Sequence, residues 1–176
     1  MSNARHLLPV LILLGTLTPA NAQSSDSQVF NVSIPTLVSI TAPSTESFDM
    51  NDISNQVNGT VSFLDTAPWV CTSNSDKGAT VEFEAQGPFT NSLGGTPIDA
   101  TLSIYGIQSD PNNVWSVTIP SATTSGAGTT ALVQATSTLP GPADFDVDIT
   151  FNNPGNFTDL VAGTYTTTVS GTISGN

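Results

Sequence analysis

The chain has almost no basic side chains and a single cysteine. Lys77 is its one Lys, while its only Arg and only His, Arg5 and His6, stand within the first six residues. Fourteen Asp and Glu leave a formal net charge of −12. A Ser–His–Asp triad needs a His base and zinc sites draw on His and Cys, so this composition argues against both kinds of site.

The first 22 residues have the pattern of a secretory signal peptide. Arg5 precedes an apolar run over residues 7–17, and Ala20 and Ala22 place small residues where a signal peptidase reads. Cleavage before Gln23 would leave 154 residues and a formal charge of −13, because one Lys then faces fourteen carboxylates. We therefore expect an exported protein in the periplasm, at the cell surface or outside the cell. So acidic a chain is expected to bind no nucleic acid, and no later segment is apolar enough to insert into a membrane.

Cys71 cannot form a disulfide within the chain because it has no partner cysteine. It stands two residues after Trp69, and alternate residues of a strand share a face. We expect a buried, unreactive thiol, with an intermolecular disulfide as the alternative in an oxidising compartment.

Short runs in which apolar and polar residues alternate recur along the chain, as in half-exposed β-strands. The clearest run is Phe145–Phe151, whose polar positions begin with two Asp. Turn-forming sequences separate the runs, and no segment keeps a 3.6-residue period. The pattern predicts an all-β, Ig-like antiparallel β-sandwich of about seven to nine strands, with a closed barrel as the alternative. The predicted organisation is a signal peptide over 1–22, a flexible polar segment over 23–27 and one sandwich domain over 28–176.

Three features resemble catalytic machinery, but each lacks a necessary part. Lys77 could activate a Ser, although its sequence context is that of an exposed turn. Asp65 stands in Phe-Leu-Asp-Thr-Ala, which resembles the aspartic-protease loop. The chain holds no second copy of the Asp loop that this chemistry needs, although a homodimer could supply one. Glu82 and Glu84 are spaced roughly 7 Å apart on a strand, near the spacing of glycosidase carboxylates, yet alternating Glu is ordinary on a solvated face. We predict that the protein is not an enzyme.

Asp144, Asp146 and Asp148 alternate along one face of a predicted strand and are the candidate metal ligands. Ca²⁺ binds six to eight oxygens, which two or three carboxylates and nearby carbonyls can supply. A straight strand spreads the three Asp over roughly 13 Å, so one ion cannot touch all of them. The sequence leaves open a Ca²⁺ site or a solvated acidic face. A secreted binding module, Ca²⁺-dependent or directed at carbohydrate through Trp69, is the alternative function.

The last fifteen residues carry a second pattern, in which Gly163 stands fourteenth from the end and Tyr165, Val169 and Ile173 follow on one face. This segment resembles the C-terminal strand of fimbrial (chaperone–usher) pilins and of spore-coat-protein-U-like domains. The resemblance covers about these fifteen residues, which we predict form one long strand. In the pilins a periplasmic chaperone pairs with this strand, so the resemblance implies such a partner.

The resemblance also implies a sandwich that lacks one strand and is completed by the N-terminal strand of a neighbouring subunit. Phe30, Val32 and Ile34 are then the donor residues; alternatively, they form the first strand of the same molecule. The chain departs from the pilins in having Gly175 where they usually have Tyr, and in lacking their disulfide. The expected function is an exported, non-catalytic structural or surface protein that acts through strand pairing or surface adhesion.

Overall fold

The computed structural model describes residues 27–47, 60–63, 67–111 and 115–176. The chain divides into residues 1–33 and a compact unit, Ile34–Asn176. The predicted domain bounds of 28–176 stay a prediction, and residues 27–33 form no helix or strand. The predicted signal peptide and Asp65 lie outside the described residues.

The described part of the compact unit contains twelve β-strands, a short 3-10 helix and no α-helix. The strands are β1 (Val38–Thr41), β2 (Thr60–Ser62), β3 (Trp69–Ser73), β4 (Ala79–Ala85), β5 (Thr90–Asn91), β6 (Asp99–Ser109), β7 (Trp115–Ile119), β8 (Ser121–Thr123), β9 (Ala131–Ser137), β10 (Gly141–Asn152), β11 (Tyr165–Thr166) and β12 (Val169–Gly175). The 3-10 helix spans Phe157–Asp159. The all-β prediction is confirmed. The structure has more strands than the predicted seven to nine. Four of them have only two or three residues, which is too short for an alternating pattern to be seen in the sequence: β2, β5, β8 and β11.

The strands are arranged in two main sheets in which every pairing is antiparallel. The first sheet has the order β1-β3-β10-β6-β8, with β2 also paired to β10, and the second has the order β12-β4-β9-β7. Strands β11 and β5 form a separate two-stranded ribbon. Among the strands that the structure describes, each main sheet has two edges, so neither sheet closes on itself.

The core lies between the two main sheets and draws on both. Phe83 of the second sheet is fully buried, and its ring centroid lies 5.2 Å from that of Trp69 and 5.5 Å from that of Phe145, both in the first sheet. On β4 the apolar side chains are buried, while Glu82 and Glu84 alternate with them on the outer face. Two antiparallel sheets that bury alternate residues against each other form a β-sandwich.

The C-terminal segment is two strands rather than the single long strand predicted over 162–176. Strand β11 pairs with β5, and β12 pairs with β4. The partner segment is interrupted in the same way between Ala85 and Thr90, so both segments leave the sheet together. At this break the Thr167 hydroxyl donates to the carbonyl of Gly87 at 2.7 Å, and the amide of Gln86 donates to the carbonyl of Thr168 at 2.9 Å.

Cys71 is fully buried on β3, which confirms the prediction of a buried thiol. Its neighbour in the register is Ala143 of β10, directly before Asp144. Burial, and to a smaller extent the carboxylate of Asp144, raises the pKa of the Cys71 thiol from 9.0 to about 12. The thiol therefore stays protonated and unreactive in the folded protein.

We expect this thiol to make the fold less stable as the pH rises above 9. The unfolded chain releases the thiol proton near pH 9.0, whereas the folded chain holds it to about pH 12, so over this window the unfolded state binds fewer protons and is favoured. The urea midpoint of the wild type should fall more steeply between pH 9 and pH 11 than that of Cys71→Ala. Parallel curves for the two proteins would contradict the assignment.

Candidate functional site

β12 is an edge strand of the second sheet. It pairs with β4 on one side, and no strand of the described residues pairs with its other side. Val169 and Ile173 lie opposite the buried Ala85 and Val81, so their side chains pack against the core, as predicted from the alternation. The outer edge presents main-chain N–H and C=O groups, which can pair with a strand from elsewhere.

Strand β1, an edge of the first sheet, lies beside part of β12. A Cβ placed on Gly171 would lie 2.6 Å from a ring carbon of Trp69 and 2.7 Å from Cδ1 of Ile40. A Cβ on Gly175 would lie 3.3 Å from Cγ2 of Thr36. The two edges are therefore close together from Gly171 to Gly175, and the missing side chain of Gly171 allows Trp69 and Ile40 to fill the space between them.

On the N-terminal side of Gly171, the edges of β1 and β12 separate and leave a cavity. Strand β1 ends at Thr41, residues 42–47 form no strand, and these residues together with 164–169 border a space of about 630 Å³. We call it the seam cleft. Its apolar lining comes from both sheets and from the β5–β11 ribbon region: Phe63, Trp69, Phe89, Leu102, Val147, Ile149, Tyr165 and Val169. Cavities of this size and character are typical of binding sites.

A second cavity, of about 610 Å³, adjoins the first. It shares Ser47, Phe63, Phe89, Thr164 and Tyr165 with the seam cleft. We call it the aromatic chamber, because aromatic rings dominate its wall. Its other lining residues are Val61, Phe151, Phe157, Leu160, Val161, Ala162 and Gly163. Of the predicted assembly residues, the structure thus places Gly163, Tyr165 and Val169 at these cavities.

The N-terminal residues expose an unusual amount of apolar surface. The side chains of Val29, Phe30 and Val32 are 77%, 80% and 85% exposed, and that of Ile34 is 75% exposed. Residues 27–37 form no strand, so the alternative in which Phe30, Val32 and Ile34 make the first strand of the same molecule does not hold. Large exposed apolar patches on soluble proteins mark interaction sites.

The three Asp of the acidic ladder project from the outer face of the first sheet and are partly exposed. The hydroxyl of Ser62 lies 2.9 and 2.8 Å from the two carboxylate oxygens of Asp148 and donates to that group. A β-bulge places Asp146 opposite Gly106. No group of three or more His, Cys, Asp or Glu side chains within the described ranges is arranged to hold a metal ion. The Ca²⁺ site at Asp144, Asp146 and Asp148 stays a prediction.

Lys77, Glu82 and Glu84, the candidate catalytic side chains within the described residues, lie on outer surfaces. Lys77 is exposed in the turn between β3 and β4. The side-chain amide of Gln134 donates to Glu82 at 2.7 Å, and that of Gln86 donates to Glu84 at 3.1 Å. These hydrogen bonds are those of a polar sheet surface, and neither Glu lines the seam cleft or the aromatic chamber.

Sequence reasoning missed both cavities, because their lining residues come from segments far apart in the chain.

Within the described ranges, no helix is long and apolar enough to cross a membrane. The chain matches no protein-family model, no curated protein and no solved structure.

Proposed function

We propose that this protein is an exported, non-catalytic structural subunit with an Ig-like sandwich, and that it assembles by strand addition. Residues 29–34 of one copy enter the seam cleft of the next copy and pair with the main chain of residues 164–169 at its border, which ends where β12 begins at Val169. The observation that carries the proposal is that one chain holds both an exposed apolar segment and an apolar cleft beside an unpaired strand edge.

The two features match in pattern and in length. In an extended strand, Phe30, Val32 and Ile34 point to one face and Asn31 and Ser33 to the other, so the apolar face can enter the cleft while the polar face meets water. Six residues extend over about 20 Å, and the border of the cleft over 164–169 also has six residues. Addition of a strand to an exposed sheet edge is an established mode of recognition.

The energetics require main-chain pairing as well as apolar contact. Burial of a Val, Ile or Phe side chain stabilises by roughly 1.5–3 kcal/mol, so three of them contribute on the order of 5–9 kcal/mol. Association costs an estimated 4–15 kcal/mol in lost translational and rotational freedom, which is similar in size. Side-chain burial alone would therefore give weak association, and main-chain hydrogen bonds along the border of the cleft over 164–169 are needed for a stable polymer.

The connection to the compact unit favours a second copy as the donor. Thr36 lies beside Gly175, at the end of β12 that is farthest from the seam cleft. A segment folding back from Ile34 along β12 would bring residue 28 to the level of Val169, roughly 20 Å away, so its polar residues would meet the cleft. A segment from another copy is free of this tether and can place its apolar residues there.

Before assembly, the same edge must be protected by a partner, because an unpaired strand beside an open apolar cleft can associate unspecifically with other chains. A periplasmic chaperone that adds a strand of its own would supply this cover, and we include such a partner in the proposal. The polar outer faces of the sandwich would then form the surface of the assembly and take part in any adhesion.

The mass of the mature protein tests the proposal. Light scattering, together with negative-stain microscopy, should show filaments or a ladder of masses at multiples of the 154-residue chain, increasing with protein concentration. A variant that lacks residues 23–35 should form neither filaments nor a ladder under the same conditions. A wild type that stays monomeric up to millimolar concentration, with filaments absent, would contradict strand addition.

A further inference from the structure

The four edge strands of the sandwich carry no charged side chain, although the chain as a whole is strongly acidic. Among the described strands, the edges are β1 and β8 in the first sheet and β12 and β7 in the second. None of these four strands contains Asp, Glu, Lys or Arg. Natural sheets often place charges on edge strands, where they block pairing with other chains. The edges of this protein lack that protection.

The two surfaces that meet in the proposed assembly are also almost free of charge. The donor residues 29–34 contain no ionisable side chain. Glu46 is the one charged residue among the described residues that line the seam cleft, and its side chain is exposed. Strand addition therefore takes almost no charge out of water, so the cost of desolvating ions does not oppose it.

Many of the carboxylates lie on the outer faces of the two sheets instead. Strands β4 and β10, which have neighbouring strands on both sides, carry five of them, which we call the outer carboxylates: Glu82, Glu84, Asp144, Asp146 and Asp148. None of the five lines either cavity. Lys77 is the one basic side chain in the described ranges, so these negative charges are almost unbalanced within the chain. They act on an approaching copy at a distance.

Two copies repel each other over a distance that depends on the salt concentration. A compact unit of this length has a radius of gyration of about 14–15 Å, so the centres of two copies in contact are roughly 35–40 Å apart. Charges interact across about 30 Å in 0.01 M salt but across only about 8 Å in 0.15 M salt. With a charge of −13 on each chain, most of both copies takes part in the repulsion at low salt, and only the groups nearest to the contact do so at high salt.

From this distribution of charge we infer that dissolved cations control the assembly: the copies stay apart in dilute salt and add strands once cations screen the outer carboxylates. This inference rests on the proposed strand addition and adds its regulation. It needs no bound cation, because screening acts through the ions in the surrounding solution. Mg²⁺ and Ca²⁺ have the same charge and should therefore act alike.

Sedimentation of the 154-residue chain in a series of NaCl concentrations tests the inference. The protein concentration at which half of the chains are assembled should be at least about tenfold lower in about 0.15 M NaCl than in about 0.01 M NaCl. At the lower NaCl concentration, addition of about 10 mM MgCl2 or CaCl2 should lower it to the same extent. An effect of Ca²⁺ that Mg²⁺ does not reproduce would mean a specific site and would overturn control by screening.

Two charge variants separate screening from other effects of salt. Glu82→Gln/Glu84→Gln/Asp144→Asn removes three outer charges and keeps the shape of each side chain, so it should assemble at a lower NaCl concentration than the wild type. Glu82→Asp/Glu84→Asp/Asp144→Glu keeps the charges on the same strands and should need as much NaCl as the wild type. The same salt requirement in all three proteins would overturn the inference.

Failure of this inference and failure of strand addition give different results. A wild type that assembles equally at every NaCl concentration overturns control by cations and leaves strand addition standing. A wild type that stays monomeric at every NaCl concentration overturns both. Phe30→Ser/Val32→Ser/Ile34→Ser should stay monomeric throughout the series, and its assembly at high salt would show that salt acts on a contact other than the donor, which also overturns both.

Discussion

Replacing Phe30, Val32 and Ile34 together by Ser is expected to turn assembled protein into monomers. All three side chains are at least 75% exposed in the single chain, so nothing in the folded monomer depends on them. In the proposed assembly each would be buried in the seam cleft, and the loss of roughly 5–9 kcal/mol should weaken association by at least about a thousandfold. Sedimentation or light scattering over a concentration series measures this directly.

The matched control for this variant lies on the other face of the same segment. Asn31→Ala/Ser33→Ala leaves the alternating apolar residues unchanged and should assemble like the wild type. The thermal midpoint of the monomer should be the same in both variants, because exposed substitutions usually change stability by less than about 0.5 kcal/mol. A triple Ser variant that assembles at the same concentration as the wild type would refute residues 29–34 as the donor.

Replacing Phe83 by Ala is expected to cause the largest loss of stability from a single substitution. Phe83 is fully buried at the centre of the core, where it contacts the rings of Trp69 and Phe145 from the opposite sheet. Removing such a ring leaves a cavity and costs about 3–5 kcal/mol. This is a large part of the 5–15 kcal/mol by which most domains are stable. Urea denaturation followed by Trp fluorescence measures the change.

Two further variants separate cavity formation from a general sensitivity of the fold. Phe83→Leu keeps most of the apolar volume and should cost much less than Phe83→Ala. Leu93→Ala removes an apolar side chain that is 74% exposed and should change the free energy of unfolding by less than about 0.5 kcal/mol. Equal losses for Phe83→Ala and Leu93→Ala would mean that the core does not lie where the structure places it.

The two large effects concern different parts of the molecule. The triple Ser variant should lose assembly while its core unfolds as before, whereas Phe83→Ala should weaken the core from which the seam cleft is built. Loss of assembly in Phe83→Ala would follow from damage to the cleft, so only the N-terminal variant tests the donor itself.

Local patterns in the sequence predicted much of the fold. Alternation on β4 and β10 indicated which side chains are buried, because every second residue of a strand faces the same way. The position of Cys71 two residues after Trp69 placed the thiol in the core for the same reason. The pattern failed for Phe30, Val32 and Ile34, which alternate but form no strand, since alternation shows which faces a strand would have and not whether it has a partner.

The candidate site could be predicted only in part. The sequence pointed to Val169 and Ile173 as residues of one strand face, and they pack together against the core. It did not show that Tyr165 belongs to a different strand, because the interruption of the C-terminal segment depends on an interruption in its partner, far away in the chain. It also gave no sign of either cavity.

What the sequence by itself determined is the class of the protein: β-strands with one buried face, a thiol confined to the core and an acidic surface with few groups suited to catalysis. These properties depend on composition and on neighbours one or two residues apart. Only the tertiary structure decided the order of the strands, the free edge of β12, the seam cleft at its start and the aromatic chamber that adjoins the cleft. They arise where β1 stops pairing and the two sheets separate, so they depend on residues brought together from distant segments by packing.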